Sequence, residues 1–130
     1  MLPTLNLLMP AVPENVATAR RAITGLCDHL EIRGATADDI RLAVTEACAA
    51  CIAHSRGAEG DARFAIDANV EGESLLVVVR DFAGGLVRGP IRGGGRGLGM
   101  GLVKHLAERT DVSSLAAGGL RVTMRFATHS

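Results

Sequence analysis

The segment EACAACIAH, residues 46–54, places an acid, two cysteines and a histidine in one predicted helix. Such residues could serve redox chemistry, metal binding or general base catalysis. A reactive Cys-x-x-Cys pair needs its first cysteine at a helix N-terminus, whereas Cys48 and Cys51 lie on the apolar side well inside this helix. The chain has three cysteines and therefore no second pair to complete a zinc site. We predict that both thiols are core residues, and that His54 is a helix-end residue without catalytic duty.

The second segment with chemical potential is rich in glycine and spans residues 84–101. It contains nine glycines and three arginines, Arg88, Arg92 and Arg96. Glycines before a helix let the backbone approach a ligand closely, and the N–H groups of the first helical turn favour an anion. The segment satisfies neither the G-x-G-x-x-G nor the G-x-x-x-x-G-K-[ST] spacing. It predicts a phosphate-binding helix start, with a solvated surface loop as the alternative.

Hydrophobic spacing predicts the elements that position these residues. They are a strand at 4–8, a helix from Glu14 to Gly34, a helix from Thr36 to about 54, strands at 63–70 and 75–82, a helix at 98–110, and a closing hairpin through Gly118 and Gly119. Thr36 and Asp39 resemble a capping box. This order predicts an α+β fold, a two-layer sandwich of a mixed, mostly antiparallel sheet with helices on one face.

Composition limits the classes of function. The chain has 130 residues, 48% of them hydrophobic, and 14 basic residues balance 14 acidic ones. A neutral chain without Trp or Tyr is poorly suited to nucleic acid, and no apolar run is long enough to span a membrane. The N-terminal MLPTLNLLMP has no basic region, and the odd number of cysteines is typical of reduced thiols. We expect a single domain, residues 1–130, that is cytoplasmic and binds neither nucleic acid nor membrane.

Three segments together resemble the nucleotide-binding domain of the GHKL class, also called the Bergerat fold. They are EACAACIAH at 46–54, VRDFAGGL at 79–86 and GRGLGMGLVKHLAER at 95–109. The chain more closely resembles the anti-sigma factor serine/threonine-protein kinases of bacterial partner-switching systems, to which its length, its element order and the closing GGLRVTMRF segment are also similar. The resemblance implies ATP and Mg²⁺ as cofactors, and a sigma factor and a STAS-type anti-sigma antagonist protein as partners. It also suggests a homodimer.

The resemblance also implies roles for individual residues. Glu46 matches the acid that acts as general base, and Asp81 matches the aspartate that accepts a hydrogen bond from the adenine amino group. Gly85 matches the glycine against which the base sits, and Arg96 would contact phosphate oxygens. The glycines of the phosphate-binding helix start would be Gly97, Gly99 and Gly101.

Departures from the family's pattern leave the activity open. Ala50 stands where the family has an asparagine that helps to hold Mg²⁺, and it has no donor atom. Ala83 replaces the first glycine of D-x-G-x-G, and Leu120 stands where many relatives have threonine. Two functions follow. One is an ATP-binding anti-sigma factor that phosphorylates its antagonist on serine, and the other is a catalytically degenerate partner-binding module with weak or no nucleotide binding.

Overall fold

The computed structural model describes residues 4–55, 62–82, 96–114 and 119–128. The strands in these residues are β1 Thr4–Pro10, β2 Arg63–Glu71, β3 Ser74–Asp81, β4 Arg109–Ser114 and β5 Leu120–Ala127. The helices are α1 Glu14–His29, α2 Gly34–His54 and α3 Arg96–Leu106. None of these helices is long and apolar enough to cross a membrane.

The strands form one sheet in the order β1-β2-β3-β5-β4, and every neighbouring pair is antiparallel. The predicted α+β fold is confirmed, and the sheet in the described residues is antiparallel rather than mixed. A two-residue turn with Gly72 at a φ of 62° joins β2 to β3. A β-carbon would strain this conformation, which suits glycine. The chain passes through α3 to reach the edge strand β4 and returns in β5 beside β3.

The core lies between the helices and one face of the sheet. Alternate side chains of β3 and β5 are buried, as period-two patterning requires. The sequence predicted this face for β5, with Leu120, Val122, Met124 and Phe126 all buried. Helix α2 is the central helix, because it packs against β2, β3 and β5 as well as against α1 and α3. Helix α2 therefore contacts both β3 and the helix that starts at Arg96.

The helix ends differ from the sequence predictions. Helix α1 ends at His29 in a Schellman arrangement, in which the Ile32 N–H donates to the Cys27 carbonyl oxygen at 2.9 Å. Glu31, with a φ of 61°, takes the left-handed position that glycine usually fills. Helix α2 begins at Gly34, and no side chain caps it, so the predicted capping box is wrong.

Helix α3 ends at Leu106, earlier than the predicted 110, because the chain from Arg109 onward pairs with β5. The predicted hairpin turn lies partly outside the described residues, which resume at Gly119.

Candidate functional site

Asp81 is the last residue of β3 and the most deeply buried acid in the described residues. Its Oδ2 lies 2.9 Å from Nδ1 of His54, the last residue of α2, and accepts a hydrogen bond from the Leu120 N–H at 3.2 Å. Burying a carboxylate is costly unless hydrogen bonds compensate for the lost water, and these two contacts supply them. The carboxylate therefore joins the ends of α2 and β3 to the start of β5.

The contact between His54 and Asp81 was missed by the sequence analysis. The two residues are 27 positions apart, and neither periodicity nor a motif links them. One signal was available, because Glu46, Ala50 and His54 recur at every fourth position and so lie on successive turns of one side of α2. The contact of His54 with Asp81 places the C-terminal end of that side beside the end of β3.

Glu46, the expected general base, lies in α2 two helical turns before His54, which is about 12 Å along the helix axis. Its side chain is half-buried and makes no hydrogen bond or ion pair with any described residue. Ala50, one turn further on, packs against the core. Glu46 is thus an acid without a charge partner in the described structure, on the helix that contacts both β3 and α3.

The remaining expected residues lie on or before α3. Arg96, Gly97 and Gly99 form the first turn of this helix, and Gly101 lies in its second turn. Gly85 falls outside the described residues. Because α2 packs against α3, the helix start predicted to bind phosphate belongs to an element in contact with the Glu46 helix.

Gly101 allows a direct test of phosphate binding. A β-carbon added there meets open space, so Gly101→Ala should stabilise α3 by about 0.5–1 kcal/mol through helix propensity. If phosphates approach this turn, the same methyl group should weaken ATP binding by roughly threefold or more. Thermal unfolding and ATP titration measure the two effects.

Gly25 of α1 provides the matched control, since it is also an exposed helical glycine with open space at the β-carbon position. Gly25→Ala should give a similar gain in stability with unchanged ATP affinity. Unchanged ATP affinity in Gly101→Ala would remove this residue from the site.

The cysteines are buried thiols, in agreement with the core interpretation. Cys48 and Cys51 are both 0% exposed and lie in the core cluster. Burial raises the pKa of the Cys48 thiol to about 12 and, with the nearby Asp81 charge, raises the pKa of Cys51 well above its usual 9.0. Thiols with raised pKa values are poor nucleophiles and poor metal ligands at neutral pH.

The described residues contain no group of three or more His, Cys, Asp or Glu side chains placed to bind a metal. Ala50 supplies no oxygen where the resembled family has its metal-binding asparagine. We therefore assign no role to Mg²⁺ in what these residues do.

A separate concavity lies between α1 and α2, away from Asp81. It has a volume of about 520 Å³ and is wide open to solvent. Its lining is mainly basic and consists of Arg20, Arg21, Thr24, Gly25, Asp28 and Arg41. Arg41 also pairs with Asp38. None of the residues expected to bind nucleotide lines this groove, so it is a charged surface feature distinct from that site.

An antiparallel sheet covered on one face by helices defines a two-layer α+β domain, with a buried acid at the end of its middle strand and glycines at the start of the following helix. The chain belongs to the histidine kinase-like ATPase domain family, whose model matches residues 9–126.

A solved structure with the same fold is that of the RsbU and RsbW domains of Rv1364c from Mycobacterium tuberculosis, with a TM-score of 0.75 and 19% sequence identity. The match covers 96% of this chain and 32% of that one, so this chain spans about a third of its length. A search of curated protein sequences gives no match.

Proposed function

We propose that this chain is an ATP-binding anti-sigma regulatory factor of a bacterial partner-switching system. Membership of the histidine kinase-like ATPase family supports nucleotide binding. Three motif segments, together with a fold shared with a structure that contains an RsbW domain, support the regulatory role. Its partners would be a sigma factor and a STAS-type anti-sigma antagonist, and its cofactor would be ATP.

The observation that carries the proposal is the contact between the end of β3 and the end of α2, made by Asp81 and His54 at 2.9 Å. This contact holds Asp81, which would accept the hydrogen bond from the adenine amino group, beside the end of the helix that carries Glu46. Because α2 also packs on α3, a nucleotide with its base at Asp81 would direct its phosphates towards the glycines at the start of α3. A carboxylate suits the base end, since it offers acceptors only and the adenine amino group is a donor.

Glu46 would supply the chemistry if the protein is a kinase. It would take the proton from a serine hydroxyl of the antagonist while the γ-phosphoryl group moves to that oxygen and ADP leaves. Its half-buried carboxylate, without an ion pair in the described structure, supports this role. A base that is already paired with a cation would be a weaker proton acceptor.

A second candidate function is partner capture by the same fold with weak or no nucleotide binding. Three observations favour it. Ala50 removes a metal ligand, and the Asp81 side chain has no exposed surface, so an incoming base must displace whatever covers it. The arginine-lined groove between α1 and α2 would suit an acidic segment of a partner protein.

Calorimetric titration with ATP, with and without Mg²⁺, distinguishes the two candidates. We expect the native chain to bind ATP with little dependence on Mg²⁺. Ala50→Asn should restore a side-chain oxygen and strengthen ATP binding in the presence of Mg²⁺ by about tenfold. Residues around a bound metal typically contribute at least that factor to the affinity for the metal.

Ala49→Asn is the matched control, since it adds the same side chain one residue earlier at an exposed position of α2. It should leave the Mg²⁺ dependence unchanged. Tight ATP binding by the native chain only in the presence of Mg²⁺ would contradict the inference that Ala50 deprives the site of a ligand for Mg²⁺. No gain in Ala50→Asn would contradict the matching of α2 to the family's first motif, and no ATP binding at all would favour partner capture alone.

A further inference from the structure

His54 contacts the expected adenine acceptor in a buried setting. Its side chain is 10% exposed and that of Asp81 is 0% exposed, and the two polar atoms are 2.9 Å apart. The helix end that carries His54 is itself fixed, because the buried Ser55 hydroxyl donates to the Cys51 carbonyl oxygen at 2.9 Å. This contact is therefore part of the packed structure rather than a mobile surface pair.

The chemistry of the two groups sets the direction of this hydrogen bond when the carboxylate is ionised. An ionised carboxylate only accepts hydrogen bonds, so Nδ1 of His54 must carry a proton when it bonds to Oδ2 of Asp81. The same oxygen accepts a second hydrogen bond from the backbone N–H of Leu120 at 3.2 Å. Two donors on one oxygen restrict rotation of the carboxyl group.

We propose that His54 is a positioning residue for nucleotide recognition, which holds the Asp81 carboxylate in the orientation that an exocyclic amino group of the base requires. This inference rests on the proposed nucleotide-binding function. A carboxyl group that is free to rotate does not keep an acceptor oxygen aimed at the amino group, and its selectivity for adenine falls. Only proline would remove the backbone N–H of Leu120, and proline would also disturb the pairing of β5 with β4, so His54 is the donor that substitution can test.

The test compares ATP with inosine triphosphate, in which a carbonyl oxygen replaces the adenine amino group. The native chain should prefer ATP by at least about tenfold, the scale of one lost hydrogen bond to a charged group. His54→Leu removes the donor, and it should weaken ATP binding by about tenfold and bring the two affinities together. His54→Asn keeps an N–H near the position of Nδ1 and should retain most of the preference.

Two controls separate selectivity from general damage. His29→Leu changes an exposed histidine at the end of α1 and should alter neither affinity. In an Asp81→Asn background, His54→Leu should cause little further loss, because the carboxylate it positions is gone. Where His54→Leu does not fold, His54→Phe fills the space of the imidazole without supplying the donor.

The outcomes for the two proposals differ. A native chain that prefers ATP, with the same preference in folded His54→Leu or His54→Phe, would overturn the positioning role and leave the proposed function intact. A native chain that does not distinguish ATP from inosine triphosphate would overturn the adenine-binding role of Asp81 itself. Loss of preference in the leucine variant and its retention in the asparagine variant would support the positioning role.

Discussion

Asp81→Asn is expected to lower the affinity for ATP by about a hundredfold, since a hydrogen bond to a charged group contributes about 1.5–3 kcal/mol. The asparagine amide also places a donor where the adenine amino group needs an acceptor. The preference for ATP over GTP should therefore disappear together with the affinity. Calorimetric titration of both nucleotides measures the two effects.

Asp67→Asn is a suitable control for this substitution. Asp67 lies on β2, and its partly exposed side chain pairs with Arg80 at 3.9 Å. Asp67→Asn therefore removes the same negative charge outside the proposed site. It should bind ATP like the native chain. If Asp81→Asn folds and keeps the selectivity of the native chain for ATP over GTP, Asp81 has no part in reading the base.

Iodoacetamide is expected to modify Cys48 at least about a thousandfold more slowly in the folded chain than in the unfolded one at neutral pH. The pKa of this thiol is raised from 9.0 to about 12, and each pKa unit lowers the thiolate fraction about tenfold. Burial of the sulfur slows the reaction further. Cys51, whose pKa is also raised well above its usual value, should be protected in the same way.

The raised pKa of Cys48 also makes the free energy of unfolding fall at alkaline pH. Below pH 9 both states keep the Cys48 thiol neutral, and between pH 9 and about 12 only the unfolded chain ionises it. Urea unfolding at increasing pH should therefore show a loss of stability that Cys48→Ala reduces. Rapid modification of Cys48 and Cys51 in the folded chain would contradict the core role and revive the redox interpretation.

Much of the fold could be predicted because local patterns and tertiary packing agree. The apolar run in β3 and the stripe of α2 each had one arrangement that buries their side chains. The end of α1 could not be predicted, since Glu31 adopts a conformation for which glycine is the usual signal. The sequence placed the helix end near Gly34, whereas that glycine begins the next helix.

The candidate site was predictable only in part. Motif resemblance assigned Asp81 and Glu46, because their types and spacing are local features of a strand end and a helix. The contact between His54 and Asp81 depends on how α2 lies against β3, which only tertiary packing determines. From the sequence alone, His54 is therefore indistinguishable from an ordinary helix-end histidine.

The central claim is that the second half of α2, the end of β3 and the start of α3 border one nucleotide site. Titration of the ¹⁵N-labelled chain with ATP, followed by amide chemical shifts, tests it most directly. We expect the amides of residues 46–54, Asp81 and 96–101 to shift together with a single apparent affinity, while those lining the groove between α1 and α2 stay unchanged. Shifts confined to that groove, or shifts of the three segments with different affinities, would contradict the claim.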